Sequence, residues 1–141
     1  MKPVRIILCV LLLSACAVER NQGTDPAVAM TLTNAGTVPL RCRLMFGHWV
    51  DRDLGTLAPG ASVALQMRQS ARDGALYVMR GDGQRQMMIE TIQCARPGAW
   101  METFGQVDFA LVRSTRTHAI DASCQAPRGD GRVACGLEPV E

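Results

Sequence analysis

The sequence has few aromatic residues and almost no lysine. Two Trp, one Tyr and three Phe in 141 residues leave Met, Leu and Val to fill the core, so it gains from covalent reinforcement. Lysine occurs only as Lys2, and arginine carries the remaining positive charge. Arginine offers forked bonding to carboxylates and phosphates, but GC-rich codon usage accounts for the bias more simply than a binding role does. No apolar run reaches the roughly 20 residues that a membrane-spanning helix needs. Neither Cys-x-x-Cys nor Cys-x-x-Cys-His occurs, so no spacing matches a zinc or haem site. There is also no Ser-centred nucleophile motif and no cofactor motif, which argues against an enzyme and against a bound cofactor.

The first sixteen residues are informative. Lys2 and Arg5 precede the apolar run IILCVLLL at 6–13, and the small residues Ser14 and Ala15 follow. A charged start, a short apolar stretch and small residues have the form of a cleavable export signal. The four residues Leu13-Ser14-Ala15-Cys16 resemble the lipobox of bacterial lipoproteins. That resemblance implies cleavage after Ala15 and acylation of Cys16, so that membrane lipid is the first partner. Two or three acyl chains, at about 0.8 kcal/mol per buried methylene, make such an anchor effectively permanent. Residue 17 is Ala and not the Asp that retains such proteins at the inner membrane, which points to the outer membrane and its periplasmic face.

Cleavage at that position simplifies the rest. Lys2 and Arg5 leave with residues 1–15, so the 15 basic residues become 13, against 13 acidic ones. The mature chain is neutral, and no nucleic-acid partner is expected. Of six cysteines, Cys9 leaves with the signal and Cys16 is lipidated. Cys42, Cys94, Cys124 and Cys135 remain, an even number in an oxidising compartment, which predicts two disulfides with three possible connectivities.

Residues 16–26 read as the lipidated terminus and a polar tether, and residues 27–141 as one all-β domain. Alternating segments separated by turn chemistry are predicted as strands over 28–33, 40–46, 62–67, 75–79, 87–94 and 107–112, with a shorter apolar segment at 54–57. Residues 63–71 are a minor helical candidate. In 40–46, Leu40, Cys42, Leu44 and Phe46 share the inward face. In 87–94, Glu90 shares a face with Met88, Ile92 and Cys94. Either it turns inward and needs an arginine partner, or Met87, Ile89 and Thr91 form the buried face. The phrase Arg-Gly-Asp-Gly occurs at 80–83 and again at 128–131. Asp-Gly suits turns, and this reading is preferred over integrin recognition of Arg-Gly-Asp. The first copy is expected to join two strands and the second to sit in a C-terminal loop.

The phrases TLTNAG at 31–36 and LAPGAS at 57–62 resemble an edge-and-turn pattern of immunoglobulin-like β-sandwiches in bacterial envelope proteins. This resemblance covers residues 28–113 and implies a fold but no activity. In such an architecture Cys42 and Cys94 would lie on two inner strands and could be crosslinked. Cys124 and Cys135 would then close a C-terminal loop.

His48-Trp49-Val50-Asp51-Arg52-Asp53 is the most function-like phrase, with an imidazole, a large aromatic and two carboxylates after a strand. The second histidine, His118, lies near Asp121. A half-buried, satisfied histidine is the commoner meaning of such a phrase. His48, Trp49, Asp51 and Asp53, together with Arg128 and Asp130 of the second Arg-Gly-Asp-Gly, form the candidate contact surface. Mature-chain methionines such as Met45, near His48, and the Met87-Met88 pair raise a copper reading. Their spacing fits core filling better, and no metal site is assigned. The expected role is a non-enzymatic accessory or assembly subunit that binds another envelope protein on long loops of a rigid scaffold. A periplasmic inhibitor of a host hydrolase and a copper handler are the alternatives.

Overall fold

The computed structural model describes residues 25–79 and 86–140. The expected signal, lipidated Cys16 and residues 17–24 of the expected tether, together with the first Arg-Gly-Asp-Gly, lie outside the described residues. Among the described residues nine strands form, in chain order, β1 (Ala27–Asn34), β2 (Leu40–Phe46), β3 (Asp51–Leu57), β4 (Ser62–Gln69), β5 (Leu76–Met79), β6 (Gln86–Ala95), β7 (Gly105–Val107), β8 (Ala119–Gln125) and β9 (Ala134–Val140). Two short helices, α1 (Trp100–Thr103) and α2 (Ala110–Ser114), flank β7. The strands join in the order β3-β2-β6-β5-β4-β1-β8-β9, with β7 added on β6. All described pairings are antiparallel except β1 with β8.

Period-two alternation decides which face is buried. In β1, Val28, Met30 and Leu32 are buried while Ala27, Ala29 and Thr31 are exposed. In β2, Leu40, Cys42, Leu44 and Phe46 all point into the core, as the sequence predicts. The candidate helix at 63–71 is strand β4 through Gln69, with Met67 and Gln69 buried on one face. Such alternation matches a pleated strand with one wet face.

This sheet cannot lie flat. Cys42 pairs with Cys94 across β2 and β6, and Cys124 pairs with Cys135 across β8 and β9; both pairs are disulfides. Strand β8 lies four places from β6 in the ladder order, which in a flat sheet would be about 19 Å at ~4.8 Å per strand. Yet the sulfurs of Cys94, Cys124 and Cys135 lie within 4.8 Å of one another. The sheet therefore curls until its two disulfides meet in the core. Each disulfide links neighbours in a ladder, unlike the inter-sheet crosslink of antibody domains. The curl is sealed where β7 meets the approach to β9. There the Val133 N–H donates to the Thr103 carbonyl at 2.7 Å. Any Cβ on Gly105 would lie 1.8 Å from the Val133 oxygen, so only glycine permits this approach.

Two β-bulges settle what simple alternation cannot. Along β6, Phe46 pairs with Ile89 and Met45 with Thr91, so Glu90 is the extra residue. The bulge lets Ile89 and Ile92 both face the core while Glu90 is exposed. Before the bulge the second alternation read from sequence holds, with Met87 packed on the core and Ile89 buried, and after it the first does, with Ile92 and Cys94 buried. Glu90 faces out and needs no arginine partner. A second bulge, at Leu54, interrupts the pairing of β2 with β3.

Several expectations need correction. Residues 107–112 are not a strand: β7 stops at Val107 and helix α2 follows. The Asp108 carboxylate accepts from the Ala110 N–H at 2.9 Å, and Val112 is buried from the helical turn. The disulfide-closed C-terminal loop expected from sequence is present, closed by Cys124–Cys135, and it joins two strands not foreseen. The region is a hairpin of β8 and β9 around residues 126–133, with Cys124 and Cys135 near its mouth. Asn34 ends β1 fully buried, at the start of the turn that follows. Its side chain donates to the carbonyls of Val38 and Leu57, both at 2.9 Å, and accepts from the Gly36 N–H at 3.0 Å.

The two disulfides close loops of different size, 52 and 11 residues. Chain-entropy arguments give about 4 kcal/mol for the first and just under ~3 kcal/mol for the second. Replacing Cys42 and Cys94 together by Ala is therefore expected to lower the denaturant midpoint more than replacing Cys124 and Cys135 together. The reverse order in matched unfolding curves would refute this ranking.

Candidate functional site

The hairpin of β2 and β3 carries four of the six residues singled out from sequence as a contact surface, His48, Trp49, Asp51 and Asp53. Arg41 and Arg43 occupy the outward positions of β2, because the intervening residues are committed to the core. Across the hairpin stand the two carboxylates of β3. Arg41 Nη2 lies 2.7 Å from Asp53 Oδ2, and Arg43 Nε lies 3.6 Å from Asp51 Oδ2. The Gly55 N–H also donates to Asp53 Oδ1 at 3.0 Å. The bond from Arg41 and this backbone donor hold the Asp53 carboxyl below the usual carboxylate range, and Asp53 in turn raises the Arg41 pKa.

Trp100 completes the group. The Arg43 guanidinium sits over its ring, 4.3 Å from the centroid, in the geometry of a cation–π contact. Trp100 opens α1, the short helix that follows β6, and is half-buried, while its neighbour Met101 is 72% exposed. The outcome is an exposed strip of alternating charge on β2 and β3, bounded by the Trp100 ring. Sequence reading missed Trp100 because it is far from His48 in the chain. The only local signal was a Trp directly after the Arg-Pro-Gly-Ala turn.

His48 is not part of this strip. It sits in the single 3-10 turn Gly47–Trp49 at the hairpin tip, exposed, at φ 67°. The connection from β2 to β3 is tight, closed by a Phe46 N–H to Val50 carbonyl bond at 2.8 Å. Asp51 and Asp53 are strand residues rather than members of a long loop, and their ion-pair partners are arginines and not His48. The backbone of Trp49 closes the turn, and its side chain lies outside the description. Val50, beside it, is 47% exposed.

Arg128 and Asp130 lie at the other end of β2. Arg41 pairs with Ala95, and the next residue, Arg96, donates from Nη2 to the carbonyls of Pro127 and Gly129. The loop over 126–133 is therefore held at the start of β2, and the His48 turn lies beyond its end. A seven-residue strand separates them by about 20 Å. Arg128 borders a cleft of about 340 Å³ with Ala35–Thr37 on one side and Arg132 on another. The structure thus splits the predicted contact surface into a β2–β3 strip, the His48 turn at the hairpin tip and a separate loop.

The methionines divide as well. Met30 and Met67 are core residues, Met45 and Met87 are half-buried, and Met88 and Met101 are exposed. Among the described residues, the one close grouping of His, Cys, Asp or Glu ligand atoms is Cys94, Cys124 and Cys135. Their sulfurs are already used in disulfides.

No protein-family model matches the chain, and no curated protein matches it in sequence.

The Arg41–Asp53 pair gives a direct test of the strip. A carboxyl whose pKa is depressed by a cation stays ionised to lower pH, and the favourable pairing is lost as pH falls through that depressed value. Arg41→Gln is expected to move the Asp53 titration, followed by carboxyl-carbon NMR, upward toward the ordinary range. An unchanged titration would mean that the pair does not persist in solution.

Proposed function

We propose that the protein is a small lipoprotein of the outer membrane, held on its periplasmic face by an acylated Cys16. In this reading it is a non-enzymatic accessory or assembly subunit that docks another envelope protein. Its β-rich domain is read as an immunoglobulin-like sandwich, a rigid support for an exposed docking strip. The anchor rests on Leu13-Ser14-Ala15-Cys16 and on the charged and apolar residues before it.

The observation that carries the docking reading is the stacked pair of Arg43 and Trp100, flanked by Asp51 and Asp53. Arg and Trp are the residue types most enriched among side chains that dominate interface energies. The carboxylates here neutralise arginines across the hairpin, so the group serves recognition better than acid–base chemistry. Electrostatic complementarity on such a strip selects a partner, and the aromatic supplies area.

Intact mass of the mature protein tests the anchor: a chain starting at Cys16 with added acyl mass is expected, and an unmodified Cys16 would refute it. For docking, a photo-crosslinker at residue 45 of the full chain is expected to trap one stoichiometric envelope protein. Trp100→Ala or Arg43→Ala should each weaken that capture by about tenfold or more, the effect of a single strong interface residue. Crosslinking unchanged by both substitutions would remove the strip from the interface.

A further inference from the structure

A second feature is independent of the β2–β3 strip. At the end of the domain where the described chain begins, a cleft of about 300 Å³ is bordered by Arg72, Arg113 and Arg116. All three arginines are exposed, and among the described residues none lies within ion-pair distance of a carboxylate. Asp73 also borders the cleft, but the Ser70 hydroxyl and the Ala75 N–H engage its carboxylate and hold its pKa down. Asp25 is likewise committed, accepting from the Ala71 N–H at 3.1 Å. Counted formally, three arginines stand against the one carboxylate of Asp73, which stays ionised, so the cleft lining carries a net positive charge.

Its walls are fixed rather than fortuitous. One wall is residues 70–74, between β4 and β5, and the other is residues 113–116, at the end of α2. The buried Gln69 joins them: Nε2 donates to the carbonyls of Val112 at 2.7 Å and Thr115 at 2.8 Å, and Oε1 accepts from the Thr117 N–H at 3.3 Å. Gly74, at φ +69°, lets the two walls touch, since a Cβ there would lie 2.1 Å from the Arg113 carbonyl oxygen. Three arginines are thus presented on a scaffold that a buried amide holds in place. Beside them Leu111 of α2 is 64% exposed.

We propose that this cleft docks the phosphate group of an anionic membrane lipid. Forked guanidinium donors match phosphate oxygens, and an exposed Leu beside them suits the apolar boundary under a headgroup. Location supplies the second argument. Pro26 borders the cleft, and its carbonyl accepts from the Gln69 N–H at 3.0 Å, so the described chain begins at this rim. The inference rests on the acylated Cys16 for that location. Cys16 is nine residues from Asp25, a stretch that in any conformation spans at most about 30 Å. A tether of that length holds the cleft against the headgroups at high effective concentration, so individually weak contacts become populated. Bound in this way, the domain has a fixed orientation, with the loop at Arg128 turned away from the bilayer.

The test uses the full chain in nanodiscs of phosphatidylcholine, with or without phosphatidylglycerol, followed by amide hydrogen exchange. Residues 70–74 and 113–116 are expected to exchange several-fold more slowly with phosphatidylglycerol present. This protection should vanish in the combined Arg72→Gln, Arg113→Gln and Arg116→Gln variant, while unchanged exchange in β1 and β4 reports an intact fold. Equal exchange in both lipids, or protection that survives the triple substitution, overturns the proposal. So does equal protection by inorganic phosphate with phosphatidylcholine alone, which would assign the cleft to a free anion. Intact mass of the same samples separates the two readings. An acylated Cys16 without lipid-dependent protection refutes only the cleft, and protection with an unmodified Cys16 refutes only the anchor.

Discussion

The contact between the two disulfides in the core is the constraint on which the architecture turns. Each disulfide taken alone joins strands that backbone hydrogen bonds already hold together. Their mutual contact does something different, because it fixes how far the sheet must curl. In a chain this poor in large aromatics, a cluster of polarizable sulfur at the meeting point supplies dispersion contacts that rings would otherwise provide. Cys42, Cys94 and Cys124 are accordingly core residues as much as crosslinks, surrounded by the Leu, Ile and Val of the inward faces.

Once the curl is set, the loops fall into two groups at opposite ends of the strands, and each end has a buried polar clamp. Asn34 closes β1 and gathers the carbonyls of Val38 and Leu57. Gln69 closes β4, the antiparallel neighbour of β1, and gathers those of Val112 and Thr115. A buried amide that satisfies loop carbonyls in this way converts irregular backbone into a defined surface, since leaving those groups unpaired would be costly. Order at the loop ends thus comes from two side chains inside the sheet, not from the loops themselves.

Much of the central sheet was legible from sequence. In β2 the inward set Leu40, Cys42, Leu44 and Phe46 follows from alternation alone, and the turn chemistry at Ala58-Pro59-Gly60 sits between β3 and β4. Legibility stopped where a rule of local period no longer held. Glu90 could not be placed because a bulge shifts the register in mid-strand. Residues 107–112 alternate like a strand, yet they lie where β7 runs out of partner and a helical turn brings Val112 inward. Strands β8 and β9 are interrupted by small and polar residues, and their place depends on β1 and on the Cys124–Cys135 pair. Within the candidate site, the arginine–aspartate ladder was hidden for a related reason. Arg41, Arg43, Asp51 and Asp53 stood in two separately read segments, and Trp100 joins them only in three dimensions.

The parallel pairing of β1 with β8 also sets an order of events in time. Strand β1 enters the ladder between β4 and β8, so the first strand of the domain keeps one edge unpaired until residues 119–125 are available. Unpaired edges are where chains associate wrongly, and pairings of long sequence separation form slowly. The β2–β3 hairpin and its ladder with β6 require nothing beyond Ala95 and can be complete while β1 is still open. A nascent chain is therefore half-built until nearly its last strands emerge, with one edge of β1 open until then.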